Sequence, residues 1–159
     1  MNDTNYRFSK AAIIGIALCL TACKQAPIGE FEFAEGQVQH VVRAAETDWQ
    51  PCPPNLPAGC EIAAIDGNPT APDLFTVRFR VTEEFAMAPH THPKDERVTI
   101  ISGLVSVAFG EDANREDATQ FGPGDYYVNS RDAVHSVWID APSVLQITGI
   151  GPWEADFID

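Results

Sequence analysis

Three histidines and one glutamate have the residue types and spacing of a metal site. His90 and His92 are separated by one residue, so on an extended segment both imidazoles project from the same face. Glu96 follows four residues after His92, and His135 comes later in the chain, at the end of a segment that begins with glycine. Three imidazoles and one carboxylate suit a first-row divalent metal ion. The sequence therefore predicts a metal site here, and the alternative is a group of surface histidines in a polar loop.

Several residues near these candidate ligands could contact a bound molecule. Aromatic and sulfur side chains flank the ligands, although in a small β-protein such residues more often belong to the core. Gln146 lies in an apolar run and could point inward, or be a core amide with its hydrogen bonds satisfied. The candidates for a pocket wall are Phe85, Met87, Tyr127, Trp138 and Gln146. The fourth histidine, His40, lies outside this group and is not expected to be a ligand.

The elements that must position these residues are short strands separated by turns. The 159 residues include 12 prolines and 11 glycines, and no amphipathic stretch is long enough for a helical bundle. Residues 75–81 alternate strictly between apolar and polar types, which is typical of a strand with one buried face. With the other β-rich stretches, this pattern predicts eight or nine strands in a sandwich, jelly roll or barrel. Those stretches are 39–43, 61–65, 97–109, 126–128, 134–139 and 144–150.

The charge balance of the chain excludes one class of partner. Ten basic and 23 acidic residues give a net charge of −13 at pH 7. Such an acidic chain is repelled by phosphate backbones, so no nucleic acid is expected to bind. The apolar content of 45% is sufficient for a packed core, which excludes a wholly disordered chain.

The first 22 residues are expected to be a signal rather than part of the fold. Two basic residues, Arg7 and Lys10, precede the apolar run 11–20, and this order is typical of a secretory signal. The run is too short for a stable transmembrane helix, because ten residues cover only about half of a bilayer core. It ends in Leu20-Thr21-Ala22-Cys23, which resembles the lipobox of bacterial lipoproteins. The resemblance implies lipidation of Cys23, and the alternative is an ordinary signal peptide with a chance cysteine.

The lipobox resemblance also implies a location in the bacterial cell envelope. Lys24 follows the cysteine, a pattern that resembles outer-membrane sorting, with the domain facing the periplasm. Loss of Arg7, Lys10 and Asp3 with the signal leaves 8 basic and 22 acidic residues, a net charge of −14. Anionic lipid does not attract such a chain, so the lipid anchor alone would attach it to the membrane.

Two cysteines remain for the folded domain once Cys19 leaves with the signal and Cys23 carries lipid. Cys52 and Cys60 are an even pair in an exported and oxidising compartment. The seven residues between them, Pro-Pro-Asn-Leu-Pro-Ala-Gly, favour a turn. We predict a disulfide that contributes about 2–3 kcal/mol to stability. The alternative is a cysteine pair that binds metal, but no further soft ligands lie nearby in the sequence.

Two segments resemble the two conserved motifs of the cupin superfamily. Residues 90–96, His-Thr-His-Pro-Lys-Asp-Glu, with Gly103 after them, resemble the first motif, and residues 124–135 resemble the second. The resemblance covers roughly residues 60–150. It implies an all-β, cupin-type jelly-roll β-barrel, or double-stranded β-helix, with a metal inside. The family's ligands map to His90, His92, Glu96 and His135.

Together with the lipobox and the lack of a clear pattern after it, this resemblance divides the chain into a lipoprotein signal peptide over residues 1–22, a tether over 23–37 and a single cupin domain over 38–159. Within the domain, the sequence departs from the family's motifs at four positions that shape loops. They are Glu84, where glycine is usual, and Ser130, Asp132 and Ile139, where proline, glycine and asparagine are usual.

The resemblance implies a metal-binding protein of the envelope that acts on a small molecule. Four protein ligands leave one or two positions of an octahedral ion open to water, dioxygen or a substrate. Iron would imply dioxygenase chemistry, as in the quercetin- and diketone-cleaving cupins, whereas manganese, nickel or zinc would suit isomerase, lyase or decarboxylase chemistry. The alternatives are a non-catalytic module that holds metal or a small ligand, and a structural lipoprotein without metal. A second copy of the chain, in a homodimer, is a further candidate partner.

Overall fold

The computed structural model describes residues 27–158, and these residues form an all-β architecture. The signal peptide over 1–22 and the lipidation site Cys23 lie outside the described residues. The strands are β1 Gln50–Pro51, β2 Cys60–Asp66, β3 Leu74–Val81, β4 Phe85–Thr91, β5 Glu96–Phe109, β6 Thr119–Phe121, β7 Tyr126–Asn129, β8 His135–Ile150 and β9 Asp156–Phe157. Two single-turn 3-10 helices cover Ala44–Glu46 and Arg115–Asp117. Within this part of the chain, no helix has the length and hydropathy of a membrane span.

All these strands join one antiparallel sheet that curls into the predicted jelly-roll barrel. The two long strands, β5 and β8, pair with each other over most of their length. On its other edge, β8 pairs with β4 at residues 135–139 and with β3 at residues 143–150. β5 likewise pairs with β7 near its start and with β6 near its end. This change of neighbours along two continuous strands bends the sheet around a single interior.

The interior of the barrel is filled by the residues that alternate along its strands. In β3, Phe75, Val77, Phe79 and Val81 are buried, whereas the residues between them are only partly so. This confirms the strand predicted from the alternation in residues 75–81, because a strand turns successive side chains to opposite faces. Leu145 and Ile147 of β8 continue the same inner face across the sheet, since they pair with Phe79 and Val77.

Two details of the strand prediction differ from the structure. The stretches 134–139 and 144–150 form one continuous strand, β8, rather than two. The stretch 39–43 is not a strand, so that prediction is wrong. It lies on the surface, where His40 stacks on Phe31 and its Nε2 atom lies 2.8 Å from the Ile65 carbonyl oxygen. Its short apolar patch finds no neighbouring strand to pair with.

Cys52 and Cys60 form the predicted disulfide, with an S–S distance of 2.04 Å. The bond joins the residue after β1 to the first residue of β2. It closes the proline-rich turn that the sequence predicts between them, and the Cys52 amide also donates to the Cys60 carbonyl at 3.2 Å.

Gly103 lets the two long strands approach each other closely. Its φ of +82° lies in the region that favours glycine, and a Cβ there would overlap the Ser143 hydroxyl and lie 2.7 Å from the Pro142 carbonyl oxygen. The Ser143 hydroxyl in turn accepts a hydrogen bond from the Leu104 amide at 3.2 Å. The glycine of the first motif therefore has a packing function at the crossing of β5 and β8.

The replacement Gly103→Ala is expected to destabilise the domain by more than the roughly 1–2 kcal/mol that a left-handed backbone costs a non-glycine residue. The added methyl group has no room beside Ser143. The matched control is Gly110→Ala, because Gly110 has a φ of +107° but nothing within 4 Å of its ideal Cβ. Urea unfolding of the two variants compares their free energies of unfolding. Equal losses would contradict the role of close packing at Gly103.

Candidate metal centre

The structure brings together three histidines: His90 from β4, His92 directly after β4 and His135 from β8. His90 pairs in register with His135 across the two strands, and His92 lies two residues further along the chain. One ring nitrogen from each histidine lies within 4.8 Å of the others. The three residues are only 1%, 3% and 0% exposed, in the order His90, His92 and His135. The predicted alternative, a group of surface histidines, is therefore excluded for the described site.

Each imidazole is oriented by a backbone carbonyl on its Nδ1 side. Because a carbonyl oxygen only accepts hydrogen bonds, Nδ1 must carry the proton when the ring is neutral, and Nε2 then has a bare lone pair. Metal-binding histidines in proteins are oriented in this way. The pairs are His90 with Ala88 at 2.8 Å, His135 with Ala133 at 2.9 Å and His92 with Glu154 at 2.6 Å.

Glu96, the first residue of β5, lies beside this cluster and is buried. Its Oε2 atom lies 3.4 Å from Nε2 of His92 and accepts a hydrogen bond from Nδ2 of Asn129 at 3.1 Å. Its Oε1 atom accepts from the indole nitrogen of Trp153, also at 3.1 Å. Both carboxylate oxygens therefore have partners, which buried charge requires. The ligand atoms that all lie within 4.8 Å of one another belong to the three histidines. Glu96 lies beside this cluster, next to His92.

Burial and charge divide the four titratable groups into two kinds. Burial, reinforced by His135, lowers the pKa of His90 to about 4, and burial also lowers the pKa of His135. Burial alone would raise the pKa of Glu96, but the hydrogen bond and charge of His92 outweigh it and bring that pKa to about 2. In the same way, Glu96 outweighs the effect of burial on His92 and raises its pKa. The metal-free site thus holds an ionised carboxylate beside a basic imidazole, with two neutral imidazoles next to them.

A small apolar cavity adjoins the candidate ligands. Its volume is about 40 Å³. His90, His92 and Glu96 form its polar end, and the other walls are hydrophobic and aromatic. Those walls are Phe79, Met87, Val98, Tyr127, Val137, Ile139, Leu145, Ile147 and Trp153. A molecule that enters would meet a few polar atoms at one end and apolar surface elsewhere.

Of the five residues predicted to form a pocket wall, two line this cavity. Met87 and Tyr127 line the cavity, and burial raises the pKa of the Tyr127 phenol, which keeps it neutral. Phe85 is buried but packs edge-on against Phe79, with ring centroids 5.5 Å apart, and does not line the cavity. Trp138 and Gln146 do not line it either, because their neighbours in β8 face the interior. Alternation along the strand turns these two side chains to the outer face.

Three residues of the site were not predicted from the sequence. Asn129 ends β7 and contacts both Glu96 and His135. Trp153 follows the last long strand; it donates to Glu96 and lies nearly parallel to His92, with ring centroids 6.0 Å apart. Residue Glu154 contributes only its carbonyl. Asn129 lies within the second motif, and that position is the one sequence feature that points to it. No sequence pattern predicts the backbone role of Glu154, because any residue carries a carbonyl.

The loop of the second motif is tied to the first motif by a backbone hydrogen bond. Asp132 stands where glycine is usual and has a φ of +62°, a conformation that aspartate adopts more readily than most residues. Its amide donates to the His92 carbonyl at 2.9 Å, which joins the two motifs. The departures from the family pattern therefore leave His135 in position.

Comparison with known proteins relates this chain to solved structures alone. No family model and no curated protein matches its sequence. The polyketide cyclase RemF from Streptomyces resistomycificus is similar, with a TM-score of 0.62, 12% identity and coverage of 77% of this chain and 87% of that one. An acetylacetone dioxygenase from Acinetobacter johnsonii has a TM-score of 0.60 and 19% identity, with 82% and 85% covered. An RmlC-like cupin from Shewanella frigidimarina has a TM-score of 0.54 and 14% identity, with 72% and 92% covered.

Because the sequence identities are below 20%, these similarities are evidence for the fold alone. They agree with the curled antiparallel sheet. The chain therefore has the jelly-roll fold of the cupin superfamily, as the resemblance of its motifs implies.

The depressed pKa of His90 predicts a pH-dependent stability of the metal-free protein. The unfolded chain takes up a proton near pH 6.5 and the folded one only near pH 4, so stability falls as the pH drops through this window. For chelator-treated protein, we expect His90 to account for about 2 kcal/mol of lost stability between pH 7 and pH 4.5. Urea unfolding at both pH values should show a smaller loss in His90→Asn than in the wild type. An identical loss in both would contradict the neutral, buried state of His90.

Proposed function

We propose that this protein is a metal-dependent enzyme that acts on a small, largely apolar molecule. The observation that carries the proposal is the orientation of three buried imidazoles, each with Nδ1 against a carbonyl, which leaves Nε2 as the atom available to an ion. A carboxylate with a pKa of about 2 lies beside them. The proposed ligands are His90, His92, Glu96 and His135.

The chemistry of these donors fits a divalent ion. Two imidazoles with lowered pKa values provide lone pairs, and the third lies beside an ionised carboxylate, so a cation would compete with the proton for His92. Imidazole and carboxylate donors suit iron, manganese, nickel and zinc, and the donor set does not select among them. When bound, such an ion would supply Lewis-acid or redox chemistry.

The cavity supports a small and mainly apolar substrate. Its volume of about 40 Å³ corresponds to a few water-sized groups, and its only charged groups lie among the candidate ligands. No lysine or arginine lines it within the described chain, so nothing there would pair with a remote anionic group of a substrate. We therefore propose that the substrate carries its polar atoms at the end that reaches the ion. Burial of its apolar part would provide the affinity.

Two of the structural neighbours are enzymes that act on small molecules. They are a polyketide cyclase and an acetylacetone dioxygenase. Shared fold alone does not determine function, so these names support small-molecule chemistry but not a particular reaction. The alternative is a non-catalytic module that holds a metal or a small ligand. The near-complete burial of the histidines favours that alternative, whereas the cavity beside them favours an enzyme.

The test of this proposal is the metal content of variants, followed by turnover. Alanine replacement of any proposed ligand is expected to lower bound metal at least tenfold, because each removes one of four donors. Elemental analysis of the purified proteins measures metal per chain. The wild type, loaded separately with iron, manganese, nickel or zinc, is then assayed against small apolar ketones, enols and phenols, with and without oxygen. Turnover that disappears in His135→Ala would support an enzyme.

His40→Ala provides the matched control for metal content. His40 is exposed and contacts Ile65 and Phe31, far from the cluster in sequence. The variant should hold as much metal as the wild type. Loss of metal in His40→Ala, together with full retention in His90→Ala or His135→Ala, would refute the proposed ligand set. Metal binding without turnover of any substrate would favour the non-catalytic alternative.

We further propose that the protein is anchored in the bacterial cell envelope through lipid on Cys23. The support is the sequence Leu20-Thr21-Ala22-Cys23 directly after an apolar run. The disulfide between Cys52 and Cys60 agrees with an oxidising compartment such as the periplasm. The net charge of −14 after cleavage leaves the lipid as the means of attachment.

The replacement Cys23→Ser is expected to move the protein from the membrane fraction to the soluble fraction, because the thiol that carries the lipid is lost. Cell fractionation followed by immunoblotting measures the distribution. Cys19→Ser is the control and should remain membrane-bound, since Cys19 lies within the cleaved signal. A Cys23→Ser protein that stays with the membrane after removal of its signal would refute the lipid anchor.

A further inference from the structure

Asn129 lies in the candidate metal centre, although it is not one of the four proposed ligands. It is the last residue of β7 and pairs in register with Glu96 on β5. Its side chain is buried, with 2% of the residue exposed. The Nδ2 atom lies 3.1 Å from Oε2 of Glu96 and 3.1 Å from Nε2 of His135. One amide nitrogen therefore bridges two proposed ligand atoms from different strands.

The chemistry of the neighbours requires the nitrogen of this amide, not its oxygen, to face them. A carboxylate oxygen accepts hydrogen bonds, and Oε2 of Glu96 is the atom that faces the amide. His135 uses Nδ1 to donate to the Ala133 carbonyl, so its Nε2 is also an acceptor. The two hydrogens of Nδ2 thus serve two acceptors, one each. This agreement between independent contacts fixes the orientation of the amide.

A bound ion would change one of these two hydrogen bonds and not the other. The imidazole Nε2 of His135 has one lone pair, which cannot accept from Asn129 and bind an ion at the same time. A carboxylate oxygen has further lone pairs, so Glu96 can keep its hydrogen bond and hold the amide in place. The hydrogen released from His135 would then lie buried beside the ion without an acceptor. Such an unsatisfied donor is costly, and an acceptor atom on a ligand of the ion would satisfy it.

A second cavity has Asn129 in its wall. It offers about 80 Å³ and is lined mainly by apolar side chains, among them Phe109, Phe121, Tyr127 and Val128, with Asn129 as a polar wall. Tyr127 lines both this recess and the inner cavity. A molecule in this recess would therefore lie against the residue that contacts two of the proposed ligands.

We infer that Asn129 is a ligand-binding residue of this site, whose side-chain N–H donates a hydrogen bond to a molecule bound to the ion beside His135. The inference rests on the proposed metal site. It specifies the chemical class of the molecule: the atom that binds the ion must keep a spare lone pair, as a carbonyl, enolate or carboxylate oxygen does. The Asn129 amide would select such molecules over ones whose bound atom has no further acceptor capacity.

The test uses the cobalt(II)-loaded protein and azide, an anion whose bound nitrogen keeps lone pairs. The visible spectrum of cobalt reports azide binding, and elemental analysis reports cobalt per chain. In Asn129→Leu and Asn129→Asp we expect cobalt to be retained and azide to bind about tenfold more weakly, or worse, because the donor is lost. Gln146→Leu is the matched control, since it removes an amide from the outer face of β8. It should bind azide as the wild type does.

The outcomes separate this inference from the proposed function. A wild type that binds no cobalt refutes the metal site itself. Azide affinity within twofold of the wild-type value in a cobalt-loaded Asn129→Leu or Asn129→Asp variant refutes the role of Asn129. Loss of cobalt from both folded variants also refutes it, because the amide would then serve to hold the ion rather than its ligand. Circular dichroism establishes that each variant is folded.

Discussion

The hydrogen bond from each imidazole to a backbone carbonyl is the constraint on which the site depends. For His90 and His135, the carbonyl belongs to the residue two positions earlier, which lies in β4 itself for His90 and in the loop just before β8 for His135. For His92, the carbonyl belongs to Glu154, beyond the last long strand. The three lone pairs therefore converge only when β4 and β8 are in register and the C-terminal segment lies against them. A local error in either would turn at least one ring away.

The charge of Glu96 depends on the same arrangement. Burial of a carboxylate is costly, and its two oxygens gain partners from three different parts of the chain: His92, Asn129 and Trp153. These partners also limit where the carboxylate can point. The pKa of about 2 indicates that these partners outweigh the cost of desolvation, so the folded protein favours the ionised carboxylate over the protonated one.

Much of the fold and the shared face of His90 and His92 could be predicted because both depend on short-range patterns, whereas His135 is assigned through the resemblance of the second motif. Alternation over residues 75–81 predicts β3, and the spacing of His90 and His92 places both rings on one face. The contacts of Asn129 and Trp153 depend instead on strand register and on the path of the chain after β8, which residue spacing does not encode. Trp138 is a different case. Its neighbours Val137 and Ile139 are apolar and inward-facing, so the same alternation rule could have placed its side chain outside.

The C-terminal segment explains how a barrel of this size can hold a closed site. After β8 the chain returns across the cluster: β9 pairs with β4, and Phe157 lies opposite His90 in register. Trp153 covers His92 and at the same time walls the cavity. The residues that exclude water are thus the same ones that orient the proposed ligands, since Trp153 also donates to Glu96. Electrostatic interactions are stronger where water is excluded. By covering the site, the C-terminal segment therefore strengthens the hydrogen bonds and charge interactions at the polar end of the cavity.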